Sequence, residues 1–287
     1  MNSVTEYAPC KVNLFLRVTG MRADGYHGIE SVMTTLPLCD VLTVTKTGSG
    51  ISSSFISSGA LQADLESLAP DDNLAVKAAK LFFDFANIGC GVDIRIEKNI
   101  PSRAGLGGGS ADAAAVLRSL NKMFSHPFTE DGLCSLGRHL GADVPFCVVG
   151  GTALCRGTGD EITKIDNKLT LHGIITSEKA EKKSTADAYR LVDESMCSSR
   201  SPEHGAVSMA KALEAGSFEG VFREAYNVFG EACKYPTEAR DLLRSLGAPF
   251  VLMSGAGPSV VALTESESDA GRFGAELEKQ GYNSFIF

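Results

Sequence analysis

The sequence predicts an α+β fold. Runs rich in Val, Ile and Leu that alternate with polar residues are typical of strands, and they occur in both halves of the chain. Longer stretches with apolar residues at helical spacing lie between these runs. The two kinds of element mix without regular β-α-β alternation, which disfavours a doubly wound parallel sheet. We find no repeat of fixed period.

The first sixty residues are predicted to form mainly strands. Pro37 and Asp40 are expected to separate a pair of these strands, because neither residue type favours a strand interior. A Ser- and Gly-rich stretch then indicates an exposed connection. The expected elements are strands at residues 11–18, 33–38 and 41–45, a turn at 22–28 and a hairpin with an exposed tip at 47–59.

The next elements begin at a helix start. The acidic pair before Asn73 and Asn73 itself are typical of an N-cap, and the apolar residues that follow recur at helical spacing. A strand then alternates, with Val92, Ile94 and Ile96 on one face. After a Gly-rich turn, an apolar stripe predicts another helix. The expected helices cover residues 74–83 and about 110–123, and the stripe of the second consists of Ala113, Val116, Leu117 and Leu120.

A polar, turn-rich stretch at residues 157–168 predicts a domain boundary. It divides the chain into an N-terminal domain over residues 1–160 and a C-terminal domain over residues 161–287. The remaining expected elements are a short helix at 133–140, strands at 144–149 and 152–156, helices near 184–195, 205–215, 217–233 and 236–246, strands at 250–253 and 260–264, a helix at 268–280 and a last strand at 283–287.

Composition favours an ordinary intracellular enzyme or binding protein. The net charge is −8, and such an acidic surface repels nucleic acid and anionic membranes at long range, although a nucleotide site can still be locally positive. The first residues show no secretory pattern, and the apolar runs are too short to span a bilayer. The eight cysteines are dispersed without C-x-x-C spacing, so we expect reduced thiols and no protein-bound metal. We therefore expect a cytoplasmic monomer or weak homodimer that binds neither nucleic acid nor membrane.

The most informative segment is PSRAGLGGGSADAAA at residues 101–115. It places four glycines immediately before a predicted helix, where backbone amides without internal partners and the helix dipole form an anion site. A Walker A loop is excluded because no lysine follows Gly109, and a dinucleotide fingerprint is excluded because Ser110 stands where glycine is required. The alternative is a turn that merely packs a helix close to a strand.

This segment resembles the phosphate-binding motif of the GHMP kinases, and three further segments agree with that family in order. These are residues 8–27, 140–146 and 253–263. The resemblance implies two domains, one like ribosomal protein S5 and one ferredoxin-like, with ATP and a soluble metabolite meeting between them. It also implies ATP as co-substrate, with Mg²⁺. The DGYH within residues 8–27 resembles the branch that phosphorylates a cytidine-diphosphate methylerythritol in the non-mevalonate isoprenoid route.

Several residue roles are implied by the resemblance alone. Lys11 and Asp143 would be catalytic, with Asp143 orienting or deprotonating the acceptor hydroxyl and Lys11 stabilising charge. The substrate would contact Asn13, Tyr26 and His27. The ATP-binding positions would be Asn73, Lys98, Pro101, Ser102, Arg103, Ala104, Gly105, Leu106, Gly107, Gly108, Gly109, Ser110 and Ala111.

Each of these residues also has a simpler interpretation. Asp143 could be a turn aspartate before an X-Pro pair, and Lys11 a solvated strand lysine. Tyr26 and His27 could be ordinary turn residues. Lys98 could be an exposed lysine, and Asn73 only a helix cap. The loop at residues 254–259 could close on a substrate phosphate through its amides, or simply join two strands.

The match departs from the family in two places. Cys10 replaces the usual small alanine before the lysine. A charged run at residues 178–183 stands where the family has a proline-containing loop that often supplies an aromatic contact to the substrate, so that contact is expected from elsewhere, such as Tyr189. Two other functions remain open: a GHMP kinase for homoserine, mevalonate or a sugar, and a nucleotide-binding relative without catalysis.

Overall fold

The computed structural model describes residues 1–57, 72–180, 184–195 and 205–287. These residues form the expected α+β fold and group into two compact units. Each unit is assembled from stretches that are not contiguous in sequence. The first comprises residues 1–11, 35–103 and 107–150, and the second comprises residues 12–34, 104–106 and 151–287.

Strands and helices alternate irregularly along the described chain. The strands are β1 (Ser3–Met21), β2 (His27–Thr47), β3 (Ile51–Ile56), β4 (Gly91–Glu97), β5 (Thr152–Arg156), β6 (Glu161–Lys164), β7 (His172–Ser177), β8 (Tyr226–Asn227), β9 (Phe250–Met253), β10 (Ser259–Thr264) and β11 (Phe285–Ile286). The helices are α1 (Leu74–Ala86), α2 (Gly108–Met123), α3 (Glu130–Arg138), α4 (Val144–Val149), α5 (Thr185–Glu194), α6 (Ala206–Glu214), α7 (Phe218–Arg223), α8 (Val228–Ala232), α9 (Glu238–Ser245) and α10 (Glu267–Lys279).

In the first unit, helices cover a sheet in which β4 lies between β2 and β3. β4 runs antiparallel to β2 and parallel to β3. Its residues Val92, Ile94 and Ile96 are fully buried, as the alternation predicts. The helices α1 and α2 pack on each other, and α4 packs on α2. The expected stripe of α2, from Ala113 to Leu120, is fully buried in this core.

The second unit contains an antiparallel sheet in the order β11-β7-β10-β9. The helices α9 and α10 contribute Leu243, Phe273 and Leu277 to its core, against Val260 and Ala262 of β10. The same unit contains the pairing of β2 with β5, of β5 with β6, and the short parallel pairing of β1 with β8.

The expected break in β2 is wrong. The strand runs without interruption from residue 27 to residue 47. Pro37 is exposed, whereas Asp40 is fully buried and bonded to Lys98 and to two backbone amides. An acid with those partners can occupy a strand interior, so its presence does not mark a strand end.

The expected hairpin at residues 47–59 is also wrong over its described residues. A turn at residues 48–50 does follow β2, but β3 then pairs in parallel with β4 and not with β2. The strand β4 already occupies the position beside β2, so β3 pairs with the far edge of β4. Residues 58 and 59 lie outside the described ranges.

Two further assignments made from the sequence are corrected. Residues 144–149 form the helix α4 and not a strand. The sequence did not distinguish the two, because a short apolar run that is buried throughout shows neither the helix nor the strand periodicity. Pro145 lies in the first turn, where no amide is needed. The predicted helix at 217–233 is instead α7 and α8 with β8 between them, and Asn227 caps α8 through its side chain.

Most of the remaining elements agree with expectation within a few residues at each end. The exceptions are β1, which extends well beyond the expected residues 11–18, and β6 and β7, which were not expected. Asn73 is the N-cap of α1 and accepts a hydrogen bond from the amide of Ala75. The seven described cysteines carry free thiols. Searched over the described residues, the chain has no helix with both the length and the apolar content needed to cross a bilayer.

Candidate active site

The glycine-rich segment adopts the backbone that its composition predicts. Arg103, Gly105 and Gly107 have φ values of 54°, 81° and 70°, in the left-handed region. Gly107 is the N-cap of α2, and the first helical hydrogen bond runs from the amide of Ala111 to its carbonyl. The amides of residues 108–110 therefore have no helical carbonyl one turn earlier to bond with. An anion site at a helix start requires such amides.

Side chains of the segment differ in what they can offer. Ala104, Leu106 and Ala111 are buried, so they contribute packing and backbone groups only. Pro101 and Arg103 are exposed. Apart from these two residues, the accessible part of residues 101–111 is mainly backbone. Ser102, Gly105, Gly107, Gly108 and Ser110 are half-buried, and Gly109 is exposed.

In the second unit, the loop at residues 254–259 holds residues 104 and 105 of this segment. The hydroxyl of Ser254 donates to the carbonyl of Gly105 over 3.1 Å, and the amide of Ser259 donates to the carbonyl of Ala104 over 3.2 Å. A Cβ on Gly105 would lie 2.3 Å from the carbonyl oxygen of Ser254, so only glycine fits. The loop does join β9 to β10, but it also fixes residues 104–105.

Lys11 and Asp143 form an ion pair in the first unit, although they lie far apart in sequence. Lys11 Nζ lies 3.4 Å from Asp143 Oδ2. The Lys11 side chain is only 6% exposed, which excludes a solvated strand lysine. Asp143 is the N-cap residue of α4 but makes no capping hydrogen bond, and its side chain is one-third exposed, so its carboxylate remains accessible.

The stem of Lys11 packs directly beneath the glycine segment. A Cβ on Gly107 would lie 2.7 Å from Lys11 Cγ. The missing side chain at position 107 therefore lets the lysine pass under the start of α2 to reach Asp143. This contact brings the catalytic candidates and the helix-start amides into one place within the first unit.

Lys98 lies in a buried ion network of the same unit. Its ammonium contacts Asp40, and it donates to Asp112 Oδ2 over 2.7 Å. Burial alone would lower the pKa of Lys98, but the charges of Asp112 and Asp40 outweigh this and raise the pKa. Burial raises the pKa of Asp112 against the opposing charge of Lys98. The interpretation of Lys98 as an exposed lysine is thereby excluded.

The substrate candidates Asn13 and His27 are anchored within the second unit. The Asn13 amide donates to Ser31 Oγ over 2.9 Å in the interior. The His27 ring stacks on Tyr189 at 4.5 Å between centroids, and its Nε2 lies 3.0 Å from the carboxylate of Asp193. Tyr26 follows the turn and is 67% exposed.

Sequence reasoning missed Asp40, Asp112 and Asp193. The first two had a readable signal. Asp40 alternates in phase with the buried Leu38 and Leu42 of β2, and Asp112 lies on the apolar side of α2. A carboxylate on a face otherwise apolar marks a buried charge that needs a partner. Asp193 gave no such signal, because it is an exposed acid on a polar helix.

Two family models match the chain, one in each half. Residues 73–151 match the family model described as the GHMP kinases N terminal domain, and residues 209–283 match the model described as GHMP kinases C terminal. The first match includes the glycine segment and Asp143. The second includes the loop at residues 254–259.

Curated relatives align with nearly the whole chain. A protein of Desulfitobacterium hafniense (strain Y51) named 4-diphosphocytidyl-2-C-methyl-D-erythritol kinase is 35% identical and covers 99% of this chain and 95% of its own length. A protein of the same name from Exiguobacterium sibiricum is 38% identical, over 92% of this chain and 90% of its own length.

Solved structures also superpose on nearly the whole chain. A crystal structure of 4-(cytidine 5'-diphospho)-2C-methyl-D-erythritol kinase superposes with a TM-score of 0.75 at 31% identity and covers 99% of this chain and 98% of its own. The homoserine kinase of Cytophaga hutchinsonii superposes with a TM-score of 0.74 over 100% of this chain and 94% of its own, but at 18% identity that likeness shows the fold alone.

Proposed function

The chain belongs to the GHMP kinases, and on that premise we propose that it transfers the γ-phosphate of ATP to the 2-hydroxyl of 4-(cytidine 5'-diphospho)-2-C-methyl-D-erythritol. Relatives of that name align over at least nine-tenths of the chain, which supports the acceptor as well as the reaction class. The product is an intermediate of the non-mevalonate isoprenoid route.

The observation that carries the proposal is the pairing of Lys11 with Asp143 beside Gly107. Phosphoryl transfer needs an oriented hydroxyl and stabilisation of charge on the transferred group. The accessible carboxylate of Asp143 can accept the hydrogen of the acceptor hydroxyl. The buried ammonium of Lys11 pairs with that carboxylate and offers positive charge to the reacting oxygen or the phosphoryl group.

The nucleotide is proposed to bind at residues 101–111, with its phosphates on the amides at the start of α2. The helix-start amides and the left-handed backbone support this assignment. Lys98 and Asn73 are assigned to the nucleotide by the resemblance. Their side chains are already partnered in the interior, so we assign their contribution to backbone groups and to packing.

The acceptor is proposed to bind at Asn13, Tyr26 and His27, with Tyr189 as a second aromatic side chain. Asp193 engages Nε2 of His27, so Nδ1 is the ring nitrogen left to contact the polar edge of a base such as cytosine. Exposed Tyr26 offers a face on which a base can stack.

Mg²⁺ is proposed to arrive with ATP. No group of three His, Cys, Asp or Glu side chains suited to a metal ion occurs among the residues that the structure describes. Magnesium commonly binds through phosphates, waters and one or two protein oxygens. The accessible carboxylate of Asp143 and the half-buried hydroxyl of Ser110 fit that pattern, and the ion would neutralise charge on the phosphates.

The remaining proposals concern the setting of the enzyme. The matches to the two family models lie on either side of residue 160, which supports a division into domains at 1–160 and 161–287. The net charge of −8 supports a set of partners restricted to small molecules, without nucleic acid. We propose a cytoplasmic enzyme that acts as a monomer or weak homodimer.

The test is ADP release by the purified chain with ATP, Mg²⁺ and the cytidine compound. Homoserine, mevalonate and a reaction without acceptor are the controls. We expect turnover with the cytidine compound only. Turnover with homoserine or mevalonate instead, or normal ATP binding without turnover on the cytidine compound, would refute the proposed acceptor.

A further inference from the structure

The network of Asp40, Lys98 and Asp112 connects three regions of the first unit. Asp40 lies in β2, Lys98 in the segment that follows β4, and Asp112 in the second turn of α2. All three side chains are at most 6% exposed. Besides contacting Lys98, Asp40 accepts the backbone amides of Asn99 over 2.6 Å and Ile100 over 2.8 Å. Residues 98–100 are thereby fixed by side-chain and backbone contacts together.

Three buried charges are a poor device for stability alone. Removing ions from water is costly, and their mutual attraction often only offsets that cost. The arrangement also leaves Asp112 Oδ1 buried without a hydrogen-bond partner among the described residues, a further cost. A chain that retains such a group against these costs points to a requirement beyond folding.

The position of the network shows what that requirement is. Gly108, the first residue of α2, packs so closely on residues 98–100 that a Cβ there would lie 3.1 Å from Ile100 Cγ2 and 3.4 Å from Lys98 Nζ. Ile100 is fully buried and cannot give way easily. Any displacement of residues 98–100 is therefore transmitted to the helix-start amides that begin at Gly108.

We propose that Asp40 and Asp112 are positioning residues of the nucleotide site, which act through Lys98 to fix the direction of the amides at the start of α2. The proposal rests on the assignment of ATP to residues 101–111. Asp40 fixes residues 99 and 100 directly, and Asp112 fixes the helix from within. The Lys98 ammonium binds both carboxylates. It therefore supports the glycine segment through them and does not contact the nucleotide.

The sharpest variant is Asp40→Asn. One oxygen can still accept the two backbone amides, but the new amide group faces the Lys98 ammonium, so two donors oppose each other and the lysine must move. We expect the Kd for ATP to rise by about tenfold, the scale of one weakened hydrogen bond to a charged phosphate. The KM for the acceptor should stay unchanged.

Asp112 supplies a graded pair of variants. Asp112→Ala leaves Lys98 with one partner and a cavity under the helix, and we expect it to weaken ATP binding about as much as Asp40→Asn. Asp112→Asn keeps the shape and one acceptor for Lys98. It should restore ATP affinity close to that of the wild-type chain. This recovery separates positioning from a requirement for charge at residue 112.

Glu6→Gln is the matched control. Glu6 also links β1 to α2 through ion pairs, with Arg118 and Lys122, but it does so in the second half of that helix. We expect it to lower the melting temperature without changing the Kd for ATP. The measurement is calorimetric titration of each folded variant with ATP in the absence of acceptor, with a thermal melt of each.

The outcomes distinguish this proposal from the proposed function. Equal ATP affinity in wild type, Asp40→Asn and Asp112→Ala would overturn the role of the network. The same loss of affinity in Glu6→Gln would reduce it to general stability and would also overturn it. Failure to phosphorylate the cytidine compound, with ATP bound normally, refutes the acceptor alone.

Discussion

Single residues decide how the reactive groups meet, and Gly107 is the clearest case. Its φ of 70° suits glycine, and the space that a side chain would occupy is filled by the stem of Lys11. The residue thus serves the helix start and the lysine at once. A buried lysine beside an accessible carboxylate is an arrangement that sequence reasoning can suggest only by resemblance, because folding alone joins positions 11 and 143.

Gly107→Ala should impair turnover more than folding. The new methyl group would lie 2.7 Å from Lys11 Cγ, so the lysine must shift away from its place beside Asp143. We expect kcat to fall by about tenfold or more, the effect of misplacing a catalytic group by a fraction of an ångström. Steady-state assays at saturating ATP would measure it.

Gly50→Ala is the control for backbone strain. Gly50 also has a positive φ, of 76°, but a methyl group there meets no atom within 4 Å. Both variants carry the cost of a left-handed alanine, about 1 kcal/mol. Equal losses of kcat in the two variants would contradict the role assigned to the contact between Gly107 and Lys11.

Asp143→Asn should abolish turnover and leave ATP binding largely intact. The amide keeps the size of the side chain but cannot accept the proton of the acceptor hydroxyl or pair with Lys11 as an anion. We expect kcat to fall by about a hundredfold or more, the usual contribution of a general base. Parallel titrations with ATP are required, and retained turnover would refute the role given to Asp143.

At the scale of elements, the charged run at residues 178–183 begins with a buried structural group. Glu178 follows β7 and accepts the amides of Ala239 and Arg240 as well as the Arg240 side chain. It therefore serves as the cap of α9, because the N-cap residue Thr237 uses its hydroxyl to bond Asp241 and makes no capping hydrogen bond. Glu178, the first residue of the run that departs from the family pattern, therefore has a structural role. Residues 181–183 lie outside the described ranges.

Glu178→Gln should destabilise the second unit strongly. The variant leaves the Arg240 guanidinium buried without its anion, and breaking such a pair costs roughly 3 kcal/mol. Chemical denaturation followed by circular dichroism would report the loss. Glu194→Gln, in the exposed pair with Arg190, should leave the free energy of unfolding nearly unchanged. Similar stabilities for the two variants would contradict the capping role.

Elements whose apolar residues recur at a regular spacing could be predicted from the sequence, and elements without such a spacing could not. The strand β4 is predicted from its alternation, because one of its faces is buried and the other is not. The helix α2 is predicted from its apolar stripe, although the structure buries it on nearly every side. The helix α4 was not predicted, because its six residues include five that are buried and so show no period. The pairing of β3 with β4 depends on contacts distant in sequence, which no local pattern encodes.

The same limit applies to the candidate site. The glycine segment could be predicted from elementary backbone chemistry, since four glycines before a helix specify an anion site. The partners of Lys98 could not be assigned, although the phase of Asp40 in β2 marked it as a buried acid. A buried charge shows in sequence that a partner is needed, and only the fold shows which partner supplies it.

For the whole molecule, Asp112 predicts a pH dependence of stability. Its pKa is raised in the folded chain above the ordinary value of 3.8 expected when unfolded. Between these two values the folded state binds more protons than the unfolded state. The contribution of Asp112 to stability is therefore present below pH 3.8 and is lost as the pH rises through the folded-state pKa.

Asp112→Asn removes this dependence because the amide does not titrate. We expect the free energy of unfolding of the wild-type chain, relative to the variant, to decrease between about pH 4 and about pH 8. Urea denaturation of both proteins across that range would measure the difference. A difference that is constant, or that grows in favour of the wild-type chain with rising pH, would contradict the prediction.

The interleaved composition of the two compact units has a consequence for how the protein is made. The first unit is complete once residue 150 has been synthesised, whereas the second combines residues 12–34 and 104–106 with residues 151–287. As the chain leaves the ribosome, β1 and β2 can pair with each other, but their further partners in the second unit, β8 and β5, are translated much later. During that interval the half of each strand assigned to the second unit is exposed to chaperones and to other nascent chains, so the order of synthesis, and not only the final energy, bears on the yield of active protein.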